Sequence, residues 1–285
     1  MSSQSLIELI REKSNAQSLQ GQSSHPSISH KDIENLSAHT LVKYREIEIM
    51  ALENNIIPER YVRNLNTFSA GDQIRLLKSS VCVVGLGGLG GIVVEILSRT
   101  GIGKLKFIDG DVFEESNLNR QFISTSETIG FSKAREAENR VHKINPSIET
   151  QCFDSFLNKD NAQDLLTGTD VVVDCLDNLK TRFLIEQECK SLNIPLVFGA
   201  VAGHQGQVMT IFPEDEGLAK IYGHEGALPE KGIELQLGAL ASCVSVIASM
   251  ECTEVIKILL KKGNVLRNRL LLVNLWESVF EVIAL

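Results

Sequence analysis

The chain has 285 residues, with 28 Lys and Arg against 36 Asp and Glu, a formal net charge of −8 at pH 7. Its 43% apolar content suffices for a sizeable packed core, its length suits one large or two small domains, and its mild acidity argues against a dedicated nucleic-acid or anionic-membrane binder. The longest uncharged run, 191–213, is broken by Asn193, Pro195, His204, Gln205 and Gln207, so no membrane span is expected.

Residues 1–30 hold nine serines and four glutamines and predict a disordered tail, with a short amphipathic helix around Leu6, Ile7 and Ile10. That apolar stretch carries Glu8 and is too short for a signal peptide. From about 31 to 55 the apolar Ile33, Leu36, Leu41, Tyr44, Ile47 and Met50 recur at helical spacing, and Pro58 stops that helix. A further helix is expected over 69–77, so 31–78 reads as an N-terminal helical extension.

The chain then changes character. Val81, Cys82, Val83 and Val84 form a short apolar run that ends at Gly85. A helix is expected over 89–100, a strand over 104–109, a helix over 133–144, strands over 148–153, 171–176 and 195–200, and a helix over 179–192. Strands alternating with helices predict an α/β fold with a Rossmann-like, doubly wound, mostly parallel sheet. The alternation stops after Gly206: a strand over 207–212 follows its predecessor directly, then a polar loop over 213–237 and a long apolar helix over 239–260. Segments 270–276 and 279–285 form a closing hairpin with Glu277 and Ser278 at the turn and Trp276 in its core. These C-terminal strands extend the sheet in antiparallel fashion.

The run Gly85-Leu86-Gly87-Gly88-Leu89-Gly90 contains G-x-G-x-x-G between a strand and a helix, the context that the motif requires. Gly85 permits the tight turn, Gly87 lets amides approach a phosphate, and Gly90 lets the helix lie close to the sheet. The helix N-terminus attracts negative charge. Asp109, nineteen residues beyond Gly90, is placed to accept ribose hydroxyls. Taken alone, the motif leaves NAD, FAD and ATP open.

The following segment separates them. Hydride transfer needs no cluster of cations near the phosphates, whereas phosphate transfer needs Arg, Lys and a metal to offset charge building in the transition state. Arg120 and Lys133 follow the nucleotide-binding strand, and Asp177 lies past the strand over 171–176, at the edge where open α/β sheets bind ligands. A carboxylate there suits Mg²⁺. Read singly, Arg120 and Lys133 are a solvated pair, and Asp177-Asn178 is a helix cap; together they form an ordered set.

That set resembles the ubiquitin-activating-enzyme-like adenylyltransferases, the ThiF/MoeB/HesA family. The matching stretches are 84–90, Asp109-Gly110-Asp111, Ser116-Asn117-Leu118-Asn119-Arg120-Gln121, Gly130-Phe131-Ser132-Lys133, Ile144-Asn145-Pro146 and Asp174-Cys175-Leu176-Asp177-Asn178, with Arg60-Tyr61-Val62-Arg63 upstream and Gly206-Gln207-Val208 downstream. The resemblance implies that 79–285 is an ATP-binding adenylyltransferase domain. Its reaction would adenylate the C-terminal carboxylate of a ubiquitin-like sulfur-carrier protein ending in Gly-Gly, using Mg·ATP and releasing pyrophosphate. Gly88 would contact phosphate and Asp109 the ribose. Residues 116–120 would line the nucleotide, chiefly through Asn117 and Arg120, while Lys133 neutralises the triphosphate. Asp177 would hold Mg²⁺, with Asn178 beside it. Arg63 would reach the γ-phosphate in a partner subunit, making 31–78 a dimer arm and the active unit a homodimer. The ionised carboxylate needs no general base, so orientation and charge neutralisation suffice.

Two family features are missing. Many members bind a structural zinc through two C-x-x-C pairs; none of Cys82, Cys152, Cys175, Cys189, Cys243 and Cys252 is so spaced, and the matching place holds Phe212-Pro213-Glu214-Asp215-Glu216-Gly217. A tetrahedral thiolate site cannot be built from these spacings, so no zinc is expected. The loop over 213–237 contains no cysteine for a covalent link to a carrier, and Cys175, Cys243 and Cys252 read as core. Scattered thiols suit a reduced, cytoplasmic protein. His204 and His224 receive no role. The alternatives are an NAD(P)-dependent Rossmann oxidoreductase, a non-catalytic nucleotide-binding subunit, and adenylation of a peptide natural-product precursor. Residues alone do not choose between carriers for molybdenum or tungsten cofactor and for thiamine.

Overall fold

The computed structural model describes residues 3–17, 25–223 and 237–285. The N-terminal region is more ordered than its Ser/Gln content predicts. Helix α1 (Ser3–Lys13) turns Leu6 and Ile10 inward against Ile28, Ile33, Ile47 and Ile56. Strand β1 (Asn15–Gln17) pairs antiparallel with β2 (His25–Ile28). The 31–55 segment is two helices rather than one, α2 (His30–Thr40) and α3 (Tyr44–Glu53). Leu41 breaks them apart: it takes a left-handed φ of 60° and its amide closes on the Ser37 carbonyl. Strand β3 (Ile57–Pro58) runs parallel to β2 and leads into a 3₁₀ turn, Glu59–Asn64. That turn docks the extension. Tyr61 is fully buried, Arg60 pairs with Glu48 at 3.1 Å, and Arg60 donates to the Ile144 carbonyl. Helix α4 (Ala70–Lys78) follows, opened by a capping box between Ser69 and Asp72.

The main sheet has eight strands. Its parallel part alternates β4 (Ser80–Val84), α5 (Gly88–Thr100), β5 (Lys104–Ile108), α6 (Lys133–Ile144), β6 (Glu149–Phe153), α7 (Ala162–Leu166), β7 (Val171–Asp174), α8 (Leu179–Ser191) and β8 (Leu196–Ala202). Then come β9 (Gln205–Ile211), a long helix (Ala241–Leu260), β10 (Arg269–Asn274) and β11 (Val279–Ala284). The spatial order is β11-β10-β9-β8-β7-β4-β5-β6. Strands β6 to β8 are parallel, and β9, β10 and β11 add antiparallel pairings. Alternate residues explain why the parallel strands read as continuous apolar runs. Val81, Val83, Leu105 and Phe107 pack under α5, α6 and the long helix, while Cys82, Val84 and Val172 pack under α7 and α8. Each such fully buried aliphatic side chain stabilises by roughly 1.5–3 kcal/mol.

Trp276 is not in the core. The register that pairs Asn274 with Val279 leaves it in the hairpin turn, 72% exposed, with its ring stacked on His204 at 3.9 Å between centroids. The 212–217 loop is held by Arg267. Its guanidinium meets Asp215 through Nε and Nη2, reaches Glu214 at 2.6 Å, and lies 4.7 Å over the Phe212 ring. The polar segment after it contains a short helix, α9 (Ala219–Tyr222). His224 and most of the remaining loop lie outside the described residues.

Candidate active site

The strand order reverses at β4, whose neighbours are β5 on one side and β7 on the other, so the turns after β4 and β7 diverge and leave a crevice. A cavity of about 1270 Å³ occupies it. The glycine turn forms its floor. Gly85 has φ of +87°, a conformation costly for any side chain. A methyl group on Gly90 would lie 1.9 Å from the Gly85 carbonyl oxygen, so only glycine lets α5 begin this close to the strand. Gly87 caps α5 and Gly88 opens it, so the helix directs its N-terminus into the cavity.

Asp109 ties this turn to β5. Its Oδ2 accepts the Leu86 amide at 2.6 Å and its Oδ1 the Asp111 amide at 2.7 Å. Burial pushes its carboxyl above the usual carboxylate range, while those two amides favour the charged form. Lys133, the first residue of α6, is 7% exposed and pairs with Asp111 at 3.1 Å. Arg120 reaches the Ser116 carbonyl at 3.1 Å and Asn119 Oδ1 at 2.8 Å, with its aliphatic stem beside Gly88. Asp177 is exposed on the cavity wall, and Asn178 caps α8 by accepting the Thr181 amide at 2.9 Å.

Thus Gly85, Gly87, Gly88, Asp109 and Asp111 meet Asn119, Arg120, Lys133, Asp177 and Asn178 around one cavity. Gly90 lies behind its wall. Ser116, Asn117 and Leu118 are not brought to it: Asn117 is buried and closes a 3₁₀ turn by accepting the Glu114 amide at 3.0 Å, so this stretch shapes the path to Arg120. Leu118 is 40% exposed. Arg63 is exposed on the docking turn and lies outside this cavity's lining.

The cavity also takes residues that the motifs do not mark. Phe156, after β6, is 64% exposed and packs beside Gly110. Arg182 lines the wall from within α8. Beyond them the cavity continues over the antiparallel strands, past Gly206, Gln207, Leu272, Asn274 and Glu281 to Tyr222. Gln207 Nε2 donates to the Tyr222 hydroxyl. Cys175 touches the cavity, but burial drives its thiol well above its ordinary range, so it is no ready thiolate.

No group of three or more His, Cys, Asp or Glu that could hold a metal occurs among the described residues. A single carboxylate at Asp177 still fits Mg²⁺, which keeps several waters and takes its other ligands from substrate phosphates.

Glycine turn, helix N-terminus, convergent cations and the Asp109, Asp111 and Asp177 carboxylates at the switch point define a nucleotide-binding α/β enzyme of the E1-like adenylyltransferase class. The comparisons with known proteins specify the family. The ThiF family model matches residues 61–285, and the chain belongs to that family. It is 35% identical over 230 residues to the SAMP-activating enzyme E1 of Haloferax volcanii, covering 79% of this chain and 84% of that protein. It is 36% identical over 226 residues to the adenylyltransferase and sulfurtransferase MOCS3 of Drosophila grimshawi, covering 75% of this chain but only 48% of that protein, about half its length. Among solved structures, E. coli MccB with ATP shares the fold at a TM-score of 0.66 and 21% identity, covering 90% of this chain and 79% of that one. PaaA does so at a TM-score of 0.67 and 20% identity, covering 79% and 72%. The enzyme is therefore an ATP-dependent adenylyltransferase.

Proposed function

We propose that this enzyme activates the C-terminal carboxylate of a ubiquitin-like sulfur-carrier protein ending in Gly-Gly, forming an acyl-adenylate with release of pyrophosphate. The observation that carries this reading is the continuity of one cavity. Its inner end gathers the α5 N-terminus, Lys133, Arg120 and Asp177, and its outer end runs on over β9, β10 and β11, past Gly206, Gln207, Leu272, Asn274 and Glu281. That shape suits a nucleotide followed by an extended chain terminus with little side-chain bulk. A carrier is favoured over a short peptide by the 35% identity to an enzyme named for activating SAMP.

Mg·ATP supplies the electrophilic phosphorus and the pyrophosphate leaving group. The glycine-turn amides bind phosphate, and Asp109 accepts ribose hydroxyls. Lys133 and Arg120 offset negative charge as it builds, in a crevice where such charges act more strongly than in water. Asp177 holds Mg²⁺. No residue removes a proton from the attacking group, because a carboxylate is ionised at neutral pH. Cys82, Cys152, Cys175, Cys189, Cys243 and Cys252 are free thiols. None of them falls in the 213–237 loop, so the adenylation step is supported and a covalent cysteine step is not. Zinc has no place: Arg267 puts a cation between Glu214 and Asp215, where the family pattern would put thiolates.

The active unit is a homodimer. Val112, Leu118, Phe122, Ile129 and Phe131 are each at least 40% exposed within a single stretch beside the site, an apolar density that suits a second copy. Arg63 is then the arm that reaches the partner's site. Free thiols suit a reducing, cytoplasmic setting, and no helix among the described residues is long and apolar enough to cross a membrane. Thermal shift tests the nucleotide directly. Mg·ATP raises the melting temperature and NAD or NADPH does not; stabilisation by NADPH alone would move the chain to the oxidoreductases.

A further inference from the structure

The turn that carries Asp177 is held by a buried ion pair. Leu176, the residue before it, has both polar groups of its backbone engaged. Its amide donates to Asp174 Oδ1 at 3.0 Å, and its carbonyl accepts from Arg182 Nη2. Asp174 and Arg182 are themselves paired, Nε to Oδ2, at 3.9 Å, with side chains 0% and 5% exposed. The guanidinium is further oriented by lying 4.8 Å over the buried Phe198 ring. Its Nη1 is buried without a hydrogen-bond partner, as is Asp174 Oδ2. An arrangement that leaves buried polar atoms unpaired costs stability, so its retention calls for a reason beyond packing.

We infer that Arg182 is the positioning residue for Asp177: it fixes the direction of that carboxylate by holding the Leu176 carbonyl one residue before it. The inference rests on the reading of Asp177 as the Mg²⁺ ligand. Arg182 borders the cavity, but its side chain is only 5% exposed and its Nη1 is buried, so its link to Asp177 runs through the Leu176 carbonyl that Nη2 holds. Asp177 itself is exposed, and its placement is inherited from the turn. A planar fork can reach Asp174, donate to the carbonyl and stack on Phe198 together; the single ammonium of lysine cannot. Burial, and then the nearby Asp174, raise the neighbouring Glu251 carboxyl well above its usual range, while Arg182 pulls it back down.

The test compares ATP binding to the full chain by calorimetry, with Mg²⁺ and with EDTA, for wild type, Arg182→Lys and Asp177→Ala. The gain in affinity that Mg²⁺ gives is expected to vanish in Asp177→Ala. In Arg182→Lys it falls about tenfold while metal-free ATP affinity stays within about twofold, the scale of a displaced functional group. Hydrogen exchange at the amides of 176–178 speeds up in Arg182→Lys, a readout independent of both metal and activity. A folded Arg182→Lys with the wild-type Mg²⁺ gain and wild-type exchange overturns the inference, as does equal weakening with and without metal. If Asp177→Ala keeps the gain, the Asp177 reading fails and this one with it; if only Arg182→Lys keeps it, Asp177 stands and Arg182 falls. Should Arg182→Lys not fold, Phe198→Leu removes the ring beneath the guanidinium and is read the same way.

Discussion

The two halves of the sheet solve different problems. Strands β4, β5 and β7 are parallel and largely buried, and two of the groups beyond their ends are tightly held: Asp109 is 9% exposed and Lys133 7%. Beyond β8 the pairings turn antiparallel, and the outermost strand is open. Trp276 and Phe280 are 72% and 57% exposed, and β11 forms one edge of the sheet. A nucleotide is the same in every turnover, so its end of the cavity is built from backbone turns and buried charge. On the proposed function, the far end receives the carrier terminus and is left open to fit it. Variation in substrate is thus expected to concentrate in β9 to β11, and loss of chemistry in β4 to β7.

The largest effect should come from the nucleotide half. Asp177→Ala is expected to lower ATP–pyrophosphate exchange by at least about a hundredfold with an unchanged circular dichroism spectrum, since Asp177 is the proposed Mg²⁺ ligand. Near-normal exchange in the folded variant would remove Asp177 from the mechanism.

Next is Arg63, whose exposed side chain belongs to neither half. Arg63→Ala and Asp177→Ala should each be inactive. After subunit exchange, a heterodimer has one whole site, with Arg63 from one chain and Asp177 in the other, so activity returns to at most about half per dimer. Confirmed exchange with no recovery would place the arginine in its own chain's site or dissolve the dimer.

Stability separates the halves further. Gly90→Ala forces a methyl group against the Gly85 carbonyl oxygen. It should cost about 3 kcal/mol, or roughly 10 °C of melting temperature, together with nucleotide binding.

The smallest effect belongs to the antiparallel half. Arg267→Met removes two ion pairs, the bidentate one to Asp215 and the one to Glu214, and one cation–π contact, about 1–2 kcal/mol together. Melting should fall a few degrees while ATP affinity holds. Elemental analysis of the wild type should find no stoichiometric zinc; one zinc per chain would demand a ligand set other than the 212–217 loop.

Legibility in the sequence divides along the same line. The glycine turn, Asp109, Lys133 and Asp177 could be read because each sits at a strand end or helix start, where chain order alone fixes its neighbourhood. Arg182 looks like any cation on a helix; its role arises only when α8 brings it beneath the β7 turn. Phe156 likewise becomes part of the site through its approach to Gly110. Asn117 carried the family pattern but spends its side chain on a turn. In the extension, helical spacing runs across Leu41, where one left-handed residue divides the helix. The amphipathic spacing of Leu6 and Ile10 is legible despite the serine-rich composition around it, whereas a hairpin register, invisible in spacing, puts Trp276 outside the core.

The most direct measurement is ATP–pyrophosphate exchange by the purified chain against a panel of Gly-Gly-ended carrier proteins, each paired with a version lacking the terminal glycine. Mg²⁺-dependent exchange with at least one intact carrier, lost on removal of that glycine, is the expected result. Exchange that ignores the carrier terminus, or none with any carboxylate-ended protein while Mg·ATP demonstrably binds, would contradict adenylation of a carrier C-terminus.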